Sequence, residues 1–522
     1  MAKSKSDDLF NLIKSLNRSE KRYFKLFVDS TGGNTQKKYL RLFDLMDEQE
    51  ELDEKKILEK EPSLKPAQLS NMKAHLYFKI LQSMRLYNQA SVVEIQIREQ
   101  IDYAQMLLNK SLYEQCVRIL QRAKKMAAKI DNLELLLEIL KWEKSVLSQT
   151  VGRDNQKRVN RIIEEVQDVN NRINNINTFT NLSVRLNSLY KKVGFIRNKS
   201  DYTKVVNIFK ASLPSIDEDA LSFNEKLNLY HLFVGYYSMI QDFEKGYHYA
   251  KEWVSLFDKH PELIPTRLEM YINGINNLMI AQFKLLKYYE FIDTSKKLKA
   301  IRFMPGVSLN ENIRLKLIKY SYVHEFNRYF MLGDFEQGVA LMNRIKPKLE
   351  AFASQLDNHS RIILYYKTAC LYFGNDNYSE AIVHLNKIIN TQEGELREDI
   401  HSFARIVNLI CHYELGNTDI IDYYIRSTYR FLLKKGDMQT FQRYILIFLK
   451  KLGSGTTQDQ LMSHFESLRM QLLPLENNIY EKRPFMYFDI ISWLESKIRK
   501  KPIQLIIKEK AMKTLSMEAV AN

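Results

Sequence analysis

Three cysteines, ten histidines and 62 acidic side chains are the groups in this 522-residue chain that could do covalent, metal or acid–base chemistry. Their spacing assembles none of it. Cys116, Cys370 and Cys411 are far apart and odd in number, which argues against paired-cysteine metal sites and a disulfide framework and for a reducing compartment. Cys411 and His412 are neighbours, so on a helix they point about 100° apart and do not face one metal. His384 and Cys370 fall within regular apolar stripes and read as packing residues. The pair Glu164–Glu165 sits in a mixed-charge stretch, the pattern of a solvated helix face. Gly453-Ser454-Gly455 lacks the third glycine and the preceding strand of a phosphate-binding loop. Neither a G-x-S-x-G elbow nor an H-E-x-x-H pair is present. The expectation is a protein that is not an enzyme and uses no metal and no cofactor.

The elements around these residues are expected to be helices. Glycine (16) and proline (10) are scarce, so few breaks interrupt the chain, while 30 tyrosines and 27 phenylalanines supply a core. The net charge of +16 is compatible with nucleic acid, anionic lipid or acidic partners, although acids and bases are mostly interspersed as on solvated helix faces. The start of the chain has no apolar signal-peptide core. The longest apolar runs, such as Tyr444 to Leu449, fall far short of the roughly 18 residues of a membrane span. A cytoplasmic protein without a transmembrane segment is expected.

Internal repetition organises the middle of the chain. Between Leu364 and Asn390, Tyr365, Ala369 and Tyr372 form one helical stripe and Tyr378, Ala381, Leu385 and Ile388 a second, with a turn at Gly374-Asn375-Asp376-Asn377 between them. Further copies run through Tyr329–Gly338 and Tyr236–Gly246, an N-terminal one contains Ala104, Tyr113, Cys116, Leu120 and Ala123, and weaker ones surround Tyr202 and Tyr289. The aromatics that open the second helices are Tyr202, Phe243, Tyr289, Phe335 and Tyr378, spaced by 41, 46, 46 and 43 residues. Tyr113 lies 89 residues before Tyr202, so a hidden unit should begin its second helix near residue 157, after a turn at Gly152-Arg153-Asp154-Asn155.

These units resemble the tetratricopeptide (TPR) repeat in their aromatic–small–aromatic first helix and the aromatic–acidic–small opening of the second. They are longer than its 34 residues, implying helices of roughly 18–20 residues. The resemblance implies an all-α fold, an α-α superhelix of about eight hairpins with helical caps at both ends. It divides the chain into an N-terminal cap (1–88), a TPR-like solenoid (89–452) and a C-terminal cap with a basic tail (453–522). In such arrays the first helices line a concave face that binds peptides or partner helices. Carried onto the clear copies, that face comprises Asn228 and His231, then Tyr320, Val323, Asn327 and Phe330, then Ile363, Tyr366, Cys370 and Phe373. The groove so composed is neutral and aromatic, with the positive charge of the chain elsewhere.

The ends depart from the repeat. Two helices, Asp7 to Leu16 and Ser19 to Val28, are expected, with Ser19 capping the second; another follows Gly32-Gly33-Asn34. A short helix capped by Asp53, a turn at Pro62-Ser63-Leu64-Lys65-Pro66 and a longer helix give 36–88 the outline of a helix-turn-helix. In that alternative the chain is a transcriptional regulator, with Gln68, Asn71, Lys73 and His75 reading DNA and the solenoid sensing or dimerising. At the other end, Pro484 to Leu494 opens a final amphipathic helix. The following Lys497, Arg499, Lys500, Lys501, Lys508, Lys510 and Lys513 face one local acid, Glu509, a pattern that suits a cap or a membrane- or nucleic-acid-binding segment. The leading expectation is a protein-interaction scaffold that binds a protein or peptide.

Overall fold

The computed structural model describes residues 5–521 apart from 31–33, 63–65, 150–154, 194–195, 197, 214, 305–306, 308–309, 354–355, 392–397, 435–437 and 452–457. The turns expected at Gly32-Gly33, Ser63–Lys65, Gly152–Asp154 and Gly453–Gly455 lie outside the described residues. Among the described residues every regular element is a helix, as the scarcity of breakers implies. The chain divides into two compact units, Met1–Asn174 with Ser308–Glu311, and Asn175–Val307 with Asn312–Asn522.

In the first unit, α1 (Lys5–Ser15), α2 (Arg18–Ser30), α3 (Asn34–Glu48), α4 (Glu54–Lys60) and α5 (Pro66–Gln89) close around Leu9, Phe24, Phe43, Leu76 and Ile80. The cap of α2 is Asn17, not Ser19. The Asn17 side chain accepts from Glu20 N (3.0 Å) and the Glu20 carboxylate accepts from Asn17 N (2.9 Å). This reciprocal capping box starts two residues earlier than expected because only there does an acid stand at its third position. Asp53 caps α4 through Lys55 N and Lys56 N, as anticipated. Then α6 (Val93–Asn109), α7 (Tyr113–Lys129) and α8 (Leu133–Gln149), each of 17 residues, pack in sequence around Ile97, Ala104, Cys116, Ala123 and Ile139. Small Ala104 and Ala123 at the crossing let the helix axes approach.

A helix does begin near residue 157, but α9 (Asn155–Val193) runs unbroken for 39 residues. The second helix of the hidden unit thus starts where the spacing placed it, but it runs on without a break into the stretch where the next first helix was due. No glycine or proline stands between Asn155 and Val193 to end the helix. The division between the compact units falls within it, at 174/175.

The second unit continues with α10 (Lys199–Ser212), α11 (Phe223–Met239), α12 (Phe243–Lys259), α13 (Leu268–Lys284), α14 (Tyr288–Ile301), α15 (Glu311–Leu332), α16 (Phe335–Ala353), α17 (Asn358–Gly374), α18 (Tyr378–Ile389), α19 (Glu398–Glu414) and α20 (Thr418–Lys434). Phe243, Phe335 and Tyr378 open second helices at the expected positions; α14 opens at Tyr288, one residue before Tyr289, and α10 at Lys199, three before Tyr202. The common helix length is 17 residues, slightly below expectation.

One turn recurs in both units. A single residue in the left-handed region ends a helix: Ser111, Asp131, Gln241, Leu286, Gly333, Asp376, Gly416 and Lys500, with φ between 46° and 69°. In each case the next amide bonds a carbonyl five residues back, as Asp242 N does to Tyr237 O and Asn377 N to Tyr372 O (3.0 and 2.9 Å). This closure satisfies carbonyls that a helix end leaves open and folds the next helix back on the last.

Helices α21 (Thr440–Lys451), α22 (Gln458–Leu472), α23 (Arg483–Tyr487), α24 (Ile490–Ile498) and α25 (Ile503–Ala521) end the chain. The single helix expected from Pro484 is instead two. Phe488 is extended (φ −147°), and Asp489 caps α24 by accepting from Ser492 N (2.9 Å). The segment reaches back over long sequence distances. Gln241 Nε2 donates to Ile479 O (3.1 Å), Lys482 Nζ donates to Gln241 O (2.7 Å), and Trp493 Nε1 donates to Glu414 Oε1 (2.6 Å). Helix α25 lies so close to the α15–α16 turn that a Cβ on Gly333 would come within 2.9 Å of Lys508 N.

Candidate ligand cavity

The first helices of three successive hairpins, α13, α15 and α17, line a cavity of about 910 Å3 in the second unit. Asn276, Asn277, Ile280, Phe283 and Lys284 fall on one face of α13. Tyr320, Val323, Asn327 and Phe330 come from α15, and Ile363, Tyr366, Cys370 and Phe373 from α17. All eight residues nominated on these two helices thus share one space. Asn228 and His231 do not line it. The Asn228 amide donates to Asn224 O within its own helix (2.8 Å). The His231 ring meets Trp253, with centroids 5.2 Å apart, and desolvation holds its pKa below the ordinary value.

The remaining wall comes from residues that sequence spacing did not nominate. Lys482, Phe485, Met486 and Phe488 of the C-terminal segment line the cavity with Ile503, Ile507 and Lys510 of α25, and Phe243 joins them from the start of α12. Packing holds this wall in place. The Phe488 ring meets Phe373 edge-on at 4.8 Å, and the Phe335 ring leaves only 2.5 Å for a Cβ on Gly374.

A polar relay crosses the apolar lining. His324, 2% exposed, places Nε2 3.0 Å from Asn276 Oδ1, and its Nδ1 lies 3.3 Å from Asn327 Nδ2. Asn327 Oδ1 in turn accepts from Lys367 Nζ at 2.6 Å. The amide donor at Nδ1 makes His324 a neutral ring protonated at Nε2. Burial, helped by the Lys367 charge, lowers its pKa to about 3. The Lys367 ammonium lies 5.2 Å from the centroids of both Phe283 and Phe330. Burial brings its pKa down to about 8, so it is still charged at neutral pH. The Cys370 thiol is pushed up to about 12 by burial, which keeps it protonated and a poor nucleophile.

Lys367 was legible and passed over. It stands four residues after Ile363, on the stripe that continues to Cys370 and Gly374. With Lys284, Lys319 and Lys482 it makes the cavity cationic as well as aromatic, which corrects the expectation of a neutral groove.

Residues nominated outside the cavity are arranged differently. On α5, Gln68, Asn71 and His75 are exposed, but Lys73 is 8% exposed and paired with Glu54. It belongs to the inward stripe of Leu69, Leu76 and Ile80, so it does not share an outer face with the other three. Much of the basic C-terminal tail is also neutralised: Lys497 pairs with Glu414, Arg499 and Lys501 with Glu509, Lys508 with Asp334 and Lys510 with Glu495. Most of these acids are remote in sequence, which hid the pairing. Among the described residues no helix is long and apolar enough to cross a membrane, and no three His, Cys, Asp or Glu side chains converge as metal ligands.

No family model matches the chain, and no curated protein is significantly similar to it.

Proposed function

We propose that this protein is a non-catalytic, TPR-related binding protein, a helical solenoid whose second unit holds a short peptide segment. The supporting observation is that Tyr320, Val323, Asn327, Phe330, Ile363, Tyr366, Cys370 and Phe373, chosen by the repeat pattern, line one cavity together. A helix about 10 Å across would fill roughly 400 Å3 per turn, so 910 Å3 accommodates about two turns or a short extended strand. The residues of 476–510 that line the site give it a further wall and favour a short segment over a long one. Aromatic side chains supply contact area, while Asn276, Asn277 and Tyr320 offer polar groups that fix orientation.

A random octapeptide display library panned against the full chain tests this reading. Enriched peptides are expected to bind at micromolar Kd or tighter by calorimetry and to be displaced by the cavity-filling substitutions Val323→Trp and Ile363→Trp. Asn228→Ala and His231→Ala should leave binding unchanged. Absence of enrichment, or binding indifferent to both tryptophans, rejects the proposal.

A further inference from the structure

The solvent face of α7, in the first unit, carries a row of cations. Arg118, Arg122, Lys125 and Lys129 recur at intervals of four, three and four residues. At 3.6 residues per turn they fall within about 60° of one another around the helix axis, and at 1.5 Å per residue the row spans about 16 Å. All four are exposed, while Cys116, Leu120, Ala123 and Ala127 bury the opposite face. Among the described residues no carboxylate forms an ion pair with any of the four. Lys124, on the flank of the same helix, is the contrast: it meets Glu143 at 3.1 Å and also Glu165 of α9. Glu114, in the first turn, is the only acid of α7, and Glu164, exposed on the flanking α9, pairs with none of the row. Arg118 with Arg122 and Lys125 with Lys129 are like-charge neighbours one turn apart, which weaken a helix slightly. Folding does not call for that arrangement.

The surroundings of the row narrow the kind of partner. Gln115 and Gln121 are exposed beside it, and among the described residues none of the exposed large apolar side chains falls between Arg118 and Lys129. The face therefore offers no anchor for the core of a protein interface, nothing to enter an acyl layer and no ring on which an unpaired base could stack. It matches a dense, regular line of negative charge. The backbone of a DNA duplex is one, with a charge for about every 1.7 Å of its axis. We propose that α7 is a contact for double-stranded nucleic acid, with Arg118, Arg122, Lys125 and Lys129 on phosphates and Gln115 and Gln121 on phosphate or sugar oxygens. Such a contact holds the backbone and reads no sequence. It is distinct from the α5 residues considered for reading DNA, where Lys73 turns inward to Glu54. It is also independent of peptide binding in the second unit.

Fluorescence anisotropy of the full chain with a labelled two-turn duplex of mixed sequence, in DNA and in RNA form, tests the proposal across a salt series. Affinity for the DNA duplex is expected to fall as salt rises. Arg122→Gln and Lys125→Gln should each make the slope of log K against log salt shallower by about 0.9, and the variant with all four cations changed to Gln by about 3.6. Lys500→Gln and Lys513→Gln, exposed on the basic tail, should leave the slope unchanged. The four residues of the row are exposed, so circular dichroism melting of the quadruple variant should match that of the native chain. A single strand of the same sequence should bind more weakly than the duplex. Vesicles of equal parts phosphatidylcholine and phosphatidylserine should show no binding that depends on the row. Absence of duplex binding at low salt, or a slope that the quadruple variant leaves unchanged, overturns the proposal. A single strand held as tightly as the duplex, or vesicle binding lost in the quadruple variant, overturns it too, by giving the row to unpaired strands or to a membrane surface.

Discussion

The second unit pairs some of its inward lysines with carboxylates, as Lys497 with Glu414, but places Lys367 differently from those of the first. In the first, Lys73 is nearly enclosed and meets Glu54, Lys124 meets Glu143 and Glu165, and Arg172 meets Asp131 at 2.8 Å. In the second, Lys367, Lys482 and Lys284 face a cavity over phenyl rings, and the contacts of Lys367 and Lys482 are completed by neutral oxygens. A carboxylate beside a buried ammonium offsets its desolvation within the fold, so the first arrangement is complete by itself. For Lys367 a neutral oxygen and two ring faces offset less of that desolvation, and its pKa is lowered.

Three measurements break or sharpen this contrast. The largest effect is expected from Lys73→Glu, which sets a second carboxylate against Glu54 in an enclosed site. It should lower stability by about 4 kcal/mol in denaturant unfolding, and a loss below about 1 kcal/mol would show that the pair is not structural.

Next comes acidification. His324 has a folded pKa of about 3, below its unfolded value, so between these pH values the unfolded chain binds the extra proton. The stability contributed by neutral His324 is complete above about pH 6.5 and is lost as pH falls towards 3, amounting to about 2.7 kcal/mol by about pH 4.5. A His324→Phe variant should show that much less acid sensitivity. Equal slopes in the two proteins would remove His324 from the relay.

The smallest effect has the opposite sign to Lys73→Glu. Lys367→Met deletes a charge without a carboxylate partner and should raise stability by about 1 kcal/mol at pH 7, the lost bond to Asn327 taking back part of the gain. The folded pKa of Lys367, about 8, lies below its unfolded value, so the native protein recovers stability as pH rises through the interval. The advantage of the variant should therefore fade by about pH 10.5. A destabilised Lys367→Met protein at pH 7 would place Lys367 in the same class as Lys73.

How far the sequence could be read followed the range of the interactions. The second helices opened by Tyr113, Phe243, Phe335 and Tyr378 were visible because an aromatic, a small residue and a polar turn lie within one hairpin. The eight residues of α15 and α17 were nominated by the resemblance to TPR repeats, and all eight line the cavity. The failures were non-local. Spacing placed the helix start near 157, at Asn155, but not its run to Val193, since no residue within Asn155–Val193 breaks the helix. The closing wall was invisible because Ile479 and Lys482 contact Gln241 from the far end of the sequence. Lys73 was misplaced because its partner Glu54 lies 19 residues upstream, in another helix.

The Gln241–Ile479 bond also has a meaning in time. It joins residues 238 apart. Synthesis proceeds at about 5–20 residues per second, so the α11–α12 turn leaves the ribosome roughly 10–50 s before the strand that will cover it. Hairpins with local turns form far faster than that. For the later part of this interval Phe243, Phe283 and Lys284 are already made while the segment that will cover them is not.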